Sequence, residues 1–475
     1  MQKKFLSNLA FLLFLNLLVK PFWVFGIDRV VQNEVGAEAY GSYFALFNFA
    51  LILNIFLDLG ISNFNNRNVS QHQQLLGKYF PRIVMLRLLL AIGYFLICLA
   101  SAFLLNYSRG QLMMLGLLCF NQFLLSGILF LRSNIAGLQL FRIDSMISVL
   151  DRLLMIASCG FVLWGIQRTE PFRIEWFIYL QTFSYAMTVV VALLIVLRKG
   201  GPFSMNWNPG TQVLILKKSL PFALLILLMS IYGRVDSVLI ERLLPDGKEQ
   251  TGIYAQAFRL LDASNMIAYL FAVLLLPMFS RMLKLKEDVG PLVRLSSKLI
   301  IIPTFTLAIA CHLHADELMA ALYHRHVVDS GRILSLLMFS LIPMAGAYVI
   351  GTLLTANGSL KHLNIIALTG VIFSFTFNLI LIPRLGAYGA GITCLMTQLL
   401  SFTLQLLVAI RLFGFKLNVR ALHFIVPAGL IAAVAYFLPQ INWMLSAALL
   451  IVVGGILTIV SLVPELKTIR ALKLS

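Results

Sequence analysis

Charged residues are scarce in this sequence, 12% of 475 residues, where a soluble globular chain carries about a quarter. With 60% hydrophobic residues and a mean hydropathy of +0.92, that shortage excludes a soluble multidomain protein. Long polar loops are missing as well. The largest outward one, about 312–332, has room only for a short helix. The five cysteines, Cys98, Cys119, Cys159, Cys311 and Cys394, follow no ligand-like spacing, so they are expected to pack as small hydrophobes without disulfide or metal. A glycine loop for phosphate and a nucleophile with its base are both lacking, which argues against an enzyme.

What the chain does have is apolar runs long enough to cross about 30 Å of hydrocarbon, repeating almost without pause. The runs are continuous rather than alternating, so helices and not barrel strands must satisfy the backbone in lipid. Spans are expected near 5–27, 38–61, 80–104, 112–134, 143–166, 174–197, 214–240, 252–280, 292–313, 333–355, 363–383, 386–410, 421–438 and 441–463. Lys3 and Lys4 followed by an apolar run mimic a secretory signal, but no small-residue cleavage site follows, so the segment reads as an uncleaved first span. The net charge of +18 raises the question of nucleic acid. Placing the N-terminus in the cytoplasm puts about 23 Lys and Arg in cytoplasmic segments, about 9 in opposite loops and about 5 within spans, the positive-inside pattern. Membrane topology therefore accounts for the charge, and nucleic acid is not expected. The densest cytoplasmic clusters are Arg198, Lys199, Lys217 and Lys218, then Arg281, Lys284, Lys286, Arg294 and Lys298.

The chain also repeats itself. Gly36 to Tyr43 and Gly247 to Tyr254 share G-x-E-x-x-G-x-Y at an offset of 211 residues, from Gly41 to Gly252. Ala136 to Asp144 and Ala356 to Asn364 are similar at an offset of 220. Both copies of the first pair enter a span from outside, and both copies of the second lie in inward loops. Six spans per unit make the repeats parallel. The expected architecture is an all-α polytopic membrane protein of about 14 helices, with two pseudo-symmetric six-helix lobes around a central cavity and two extra C-terminal helices. The lobes are 1–200 and 219–415, joined by a cytoplasmic linker at 201–218, and the extra helices and tail occupy 416–475.

Lys20, Asp58, Arg87, Asp151, Arg152, Arg234, Asp236, Arg259 and Asp262 fall within the expected spans. Lys20, Asp58 and Arg87 lie near span ends, where snorkelling reaches water. Exposing the other six to lipid would cost on the order of 15–20 kcal/mol, so they must face protein or water. Arg259 and Asp262 share one helical face, and the repeat sets Arg259 against Asn48. A guanidinium suits a phosphate because it stays charged and binds bidentately. Lys20, Asn48, Arg152, Arg234 and Arg259 are accordingly the candidates for a substrate cavity. His312, His314, His324 and His326 sit in one outward loop and are read as decorating a polar helix, not as metal ligands.

Three stretches carry a family resemblance: Asp58-Leu59-Gly60-Ile61-Ser62, then Arg234-Val235-Asp236 with Gly252-Ile253-Tyr254-Ala255, and Asn378 to Ala390, which reads NLILIPRLGAYGA. In this order they resemble the polysaccharide transporters of the multidrug/oligosaccharidyl-lipid/polysaccharide exporter superfamily, most closely the O-antigen flippases. The resemblance implies a bacterial inner-membrane protein of twelve or fourteen helices in two lobes; a monomer with cytoplasmic termini is expected. It implies transfer of a polyprenyl-diphosphate-linked oligosaccharide across the bilayer by alternating access, alongside other polysaccharide-assembly membrane proteins. No cofactor is implied beyond a coupling H+ or Na+, for which Asp58, Asp151, Asp236 and Asp262 are candidates. Two other branches remain open: a multidrug and toxin extruder-type cation antiporter, and a lipid-linked peptidoglycan precursor flippase. The cleft cations suit cationic drugs poorly, and the first span offers only Lys20 where the peptidoglycan branch leads one to expect arginine.

Overall fold

The computed structural model describes residues 11, 14–16, 18–62, 76–138, 140–167, 170–199, 209–415, 422–437 and 442–474. The Lys3-Lys4 start and residues 201–208 of the expected linker lie outside this set.

Every regular element among the described residues is a helix, as continuous apolar runs require. The first, α1, runs from Phe14 to Leu57. Its 44 residues would extend about 66 Å, twice the hydrocarbon thickness. Gly36 interrupts it with φ 80° and ψ 170°, a conformation open essentially only to glycine, so α1 makes two crossings. There follow α2 (Leu76–Leu104), α3 (Arg109–Gly137), α4 (Phe141–Gly160), α5 (Ile174–Lys199) and α6 (Pro209–Leu243). The remainder are α7 (Gly247–Lys284), α8 (Gly290–Leu313), the short α9 (Ala315–Leu322), α10 (Val327–Ala356), α11 (Leu360–Leu385), α12 (Ala387–Phe413), α13 (Leu422–Phe437) and α14 (Trp443–Leu474). Twelve helices among the described residues are long and apolar enough to cross a membrane. Counting α1 twice and adding the shorter α13 brings the described crossings to about fourteen, as expected from the sequence. Leu88, Ile92, Leu96, Phe103, Ile372, Leu379 and Ile459 point outward from these helices. So much exposed apolar surface suits lipid and not water.

Contacts divide the chain into two compact units, 1–241 and 242–475. The division falls late in α6, so this helix packs with the first unit although the repeat assigns it to the second. Helix α6 begins at Pro209, which makes the latter half of the expected 201–218 linker helical.

Each unit, taken alone, has the same internal packing. In the first, α1 lies on α3 and α5, and α3 also lies on α2, α4 and α5, with α4 on α5. In the second, α7 lies on α10 and α12, and α10 also lies on α8, α11 and α12, with α11 on α12. Tyr43 stacks on Phe47 at 5.8 Å, and Tyr254 stacks on Phe258 at 5.4 Å, the same pair displaced by the same 211 residues. Helices α3 and α10 end at Gly137 and Ala356, and α4 and α11 begin at Phe141 and Leu360, a shift of 219 at both boundaries. The duplication inferred from two short matches thus extends through the packing of whole helices.

Outside the repeat, α14 is held along α8. His314 Nε2 pairs with Ser446 Oγ at 2.7 Å, Lys298 Nζ donates to the Ser461 carbonyl at 3.2 Å, and Ile302, Ala310, Ile431, Ala435 and Leu450 form the apolar layer between. Lys298 is only 2% exposed. It belongs to this contact and not to the cytoplasmic charge cluster, because a helix outside the repeat covers the face that periodicity leaves open.

Candidate functional site

The charges inside the first unit fall into separate groups. Lys20 lies on α1 one turn before a widened π-helical stretch, Trp23–Asp28. Such turns displace side chains from the regular α spacing and recur at functional sites. Lys20 feels the charges of Arg152, Asp151 and Arg132, so α1, α3 and α4 converge here. Arg132 binds Asp144 through two bonds, Nε to Oδ1 at 2.8 Å and Nη2 to Oδ2 at 3.3 Å. Arg152 Nε stands 3.7 Å from Asp151 Oδ2. The Arg152 guanidinium also lies over Trp23, 5.3 Å from the ring centre, and 6.0 Å from that of Tyr185.

The rings beneath Arg152 are fixed by their neighbours. Trp23 stacks on Phe177 at 5.9 Å. Tyr185 accepts a bond from Gln181 at 3.2 Å, Gln181 accepts one from Asn121 at 3.3 Å, and Thr182 donates to Asn121 at 2.7 Å. This polar chain joins α3 to α5 and holds Tyr185 in place. Two π faces attract a cation by about 0.5–2 kcal/mol each, which helps keep Arg152 charged. Lys20 is less committed still. Among the described residues it makes no hydrogen bond or ion pair. Lys20, Arg152 and Arg132 share this region with Asp151 and Asp144.

Asp58 and Arg87 form a second group. Arg87 Nη1 bonds Asp58 Oδ1, and Nη2 bonds the Ser126 carbonyl at 2.8 Å and its hydroxyl. The guanidinium lies 4.9 Å from the Phe130 ring centre, and Arg87 is 7% exposed. The expectation that both residues snorkel is therefore wrong. Arg87 stands eleven residues inside α2, and its charge is neutralised locally instead of being carried to water.

Asn48 joins a third group. It is buried at 1% and donates to Ser237 Oγ at 3.0 Å, while Ser237 donates to the Arg234 carbonyl at 3.1 Å. The structure thus ties Asn48 to the stretch of α6 that carries Arg234 and the buried Asp236. This amide is committed within the first unit and is not offered to open space. Arg259 and Asp262 lie half-buried on α7 of the second unit. Asn265 continues their face and donates to Tyr348 of α10 at 3.2 Å, with Tyr269 packed edge-on against Tyr348.

Asp28 was missed by sequence reasoning, which closed the first span at residue 27. It is 1% exposed and accepts bonds from Tyr40 at 2.9 and 3.0 Å and from Gln32 at 3.0 Å. A signal was available: a carboxylate one residue past an assigned span end, followed by Gly36 and Tyr40, marks a helix that continues to a break. Of the outward histidines, His314 is buried against Ser446 and does not decorate a polar surface. His326 faces Glu249 at 3.3 Å, and among the described residues no group of three or more metal-ligating side chains forms.

The family model for polysaccharide biosynthesis proteins matches residues 5–283, more than half the chain. The chain belongs to this family. Its fold is also that of solved transporters. A structure of the lipid II flippase MurJ, inward closed, aligns over 96% of both chains with a TM-score of 0.68 at 12% identity. A MOP superfamily transporter from Pyrococcus furiosus aligns over 86% of this chain and 95% of its own, with a TM-score of 0.62 at 15% identity. A point mutant of the Vibrio cholerae MATE transporter VcmN aligns over 85% and 97%, with a TM-score of 0.53 at 16% identity. No curated protein matches the sequence closely enough to count as a relative.

Proposed function

We propose that this protein is a flippase that carries polyprenyl-diphosphate-linked oligosaccharide units from the cytoplasmic to the periplasmic leaflet of the bacterial inner membrane. Transfer runs by alternating access and is driven by an H+ or Na+ gradient or by the membrane potential. The reading is carried by Lys20, an intramembrane cation with no bonded anion beside the ring-held Arg152. An unpaired charge in a span is costly, and an incoming diphosphate would offset that cost through charge-assisted bonds. Family membership in polysaccharide biosynthesis supports a glycan-bearing cargo. Asp28, Asp58, Asp151, Asp236 and Asp262 are the carboxylates available for ion coupling.

A second substrate is favoured by one observation. The MurJ structure aligns over 96% of this chain, including the helices beyond the repeat. Lipid-linked peptidoglycan precursor is therefore the alternative cargo.

Leaflet exchange in reconstituted vesicles tests both. A fluorescent lipid-diphosphate oligosaccharide and a fluorescent peptidoglycan precursor are compared for the parent and for Lys20→Ala, Arg152→Ala, Arg234→Ala and Arg259→Ala. Exchange of the oligosaccharide lipid is expected to slow at least about tenfold in Lys20→Ala and Arg152→Ala, in line with about 1.4 kcal/mol or more of lost binding. Unchanged exchange in both variants would remove the proposed diphosphate site, and transfer of the peptidoglycan precursor alone would favour the second cargo.

A further inference from the structure

The second unit contains a cavity of about 730 Å³ that is distinct from every charged group described above. Gln250 from the start of α7, Asp329, Arg332 and Ser335 from the start of α10, and Gly386 and Tyr388 from the turn between α11 and α12 line it. Two motifs of the sequence meet here. Gln250 belongs to the repeated G-x-E-x-x-G-x-Y segment, and Gly386 and Tyr388 belong to NLILIPRLGAYGA.

The glycines of that second motif have a purely structural explanation. Gly386 has φ 62°, in the left-handed region, and a Cβ on Gly389 would come within 2.5 Å of the Leu381 carbonyl oxygen. The turn must therefore be tight. Tyr388 has no such explanation. It is 41% exposed, and among the described residues its ring stacks on no other. Asp329 and Arg332 stand three residues apart on one face of α10, yet neither makes a hydrogen bond or ion pair among the described residues.

We propose that this cavity binds a short saccharide, at the end of the second unit where α7, α10 and α12 begin. The inference rests on the flippase reading for the source of its ligand, the glycan carried by the lipid. The chemistry is that of sugar recognition. An open aromatic ring offers an apolar plane to the C–H face of a pyranose. A carboxylate, a guanidinium, an amide and a hydroxyl supply acceptors and donors for ring hydroxyls. The volume lies within the range of small-ligand sites. Arg332 gives the site an added preference for acidic sugars, because carboxylate pairs with guanidinium in a bidentate manner.

Saturation-transfer NMR on the full-length protein in nanodiscs tests the site with three free probes: maltotriose, chitotriose and trigalacturonate. Transfer to at least one probe is expected, strongest for trigalacturonate. Tyr388→Ala and Arg332→Ala should each weaken binding at least about tenfold, while Tyr388→Phe, which keeps the ring, should bind as the parent does. Thermal unfolding of each variant separates loss of the site from loss of the fold. No transfer to any probe, or binding that survives both alanine substitutions, would overturn the proposal. Because the probes carry no lipid and no translocation is measured, a negative result leaves the transport reading intact. Failure of the leaflet-exchange test in turn leaves this readout unaffected.

Discussion

Arg87 illustrates how this protein keeps charge inside apolar helices. The guanidinium meets a carboxylate, a carbonyl, a hydroxyl and an aromatic face at once, so its charge is matched in the absence of water. Removing one member of such a pair leaves a buried charge, which costs about 3–5 kcal/mol, whereas replacing both by apolar groups is often close to neutral. Asp58→Ala should therefore unfold at a clearly lower temperature than the parent, and Asp58→Ala with Arg87→Met should recover most of the loss. Equal destabilisation of single and double variants in a thermal melt would contradict a charge-driven origin. Lys20 contrasts with Arg87. It has charged neighbours but no bonded one, and that difference is the reason to assign binding to the Lys20 group and stability to the Arg87 group.

Gly36 decides the course of α1. Without the break, 44 residues would leave the bilayer as one rod; with it, the chain turns back and places Tyr40 over Asp28. A Cβ at position 36 would meet nothing within 4 Å, so any cost of substitution is backbone strain alone. Gly36→Ala is expected to destabilise the protein by roughly 1–3 kcal/mol, read as a fall in melting temperature with no change in helix content. A parent-like melt would mean that the turn tolerates a side chain. Helices α13 and α14 depend on a different device. They have no repeat partner, and α14 is fixed to α8 through His314, Lys298 and the apolar layer between them.

For the whole molecule, the excess of Lys and Arg on one set of expected loops predicts an orientation with those loops in the cytoplasm. With the five cysteines replaced by alanine, single cysteines introduced as Asp246→Cys and Arg384→Cys should react with an impermeant thiol reagent on intact cells. Glu287→Cys and Lys361→Cys should react only after permeabilisation. The reverse pattern would invert the orientation, and with it the proposed direction of transport and the side assigned to the proposed saccharide cavity. The repeat links this scale to the others, since the same packing scheme recurs in both units while the side chains set into it differ. Asn48 and Arg259 occupy equivalent positions in the repeat, and the first is fully buried while the second is half-buried.

Span number, helix type, duplication and family resemblance could all be read from the sequence, because each depends on local hydropathy or on short motifs that survive without knowledge of contacts. Asp28, Arg132 and Lys298 could not, since their surroundings come from residues beyond the reach of local periodicity. Periodicity says that a charge must avoid lipid. Only the tertiary packing decides whether it meets a bonded carboxylate, as Arg87 does, or no bonded partner, as at Lys20. That choice is set by the atoms facing each side chain, and those atoms lie on helices that the sequence places in order but not in contact.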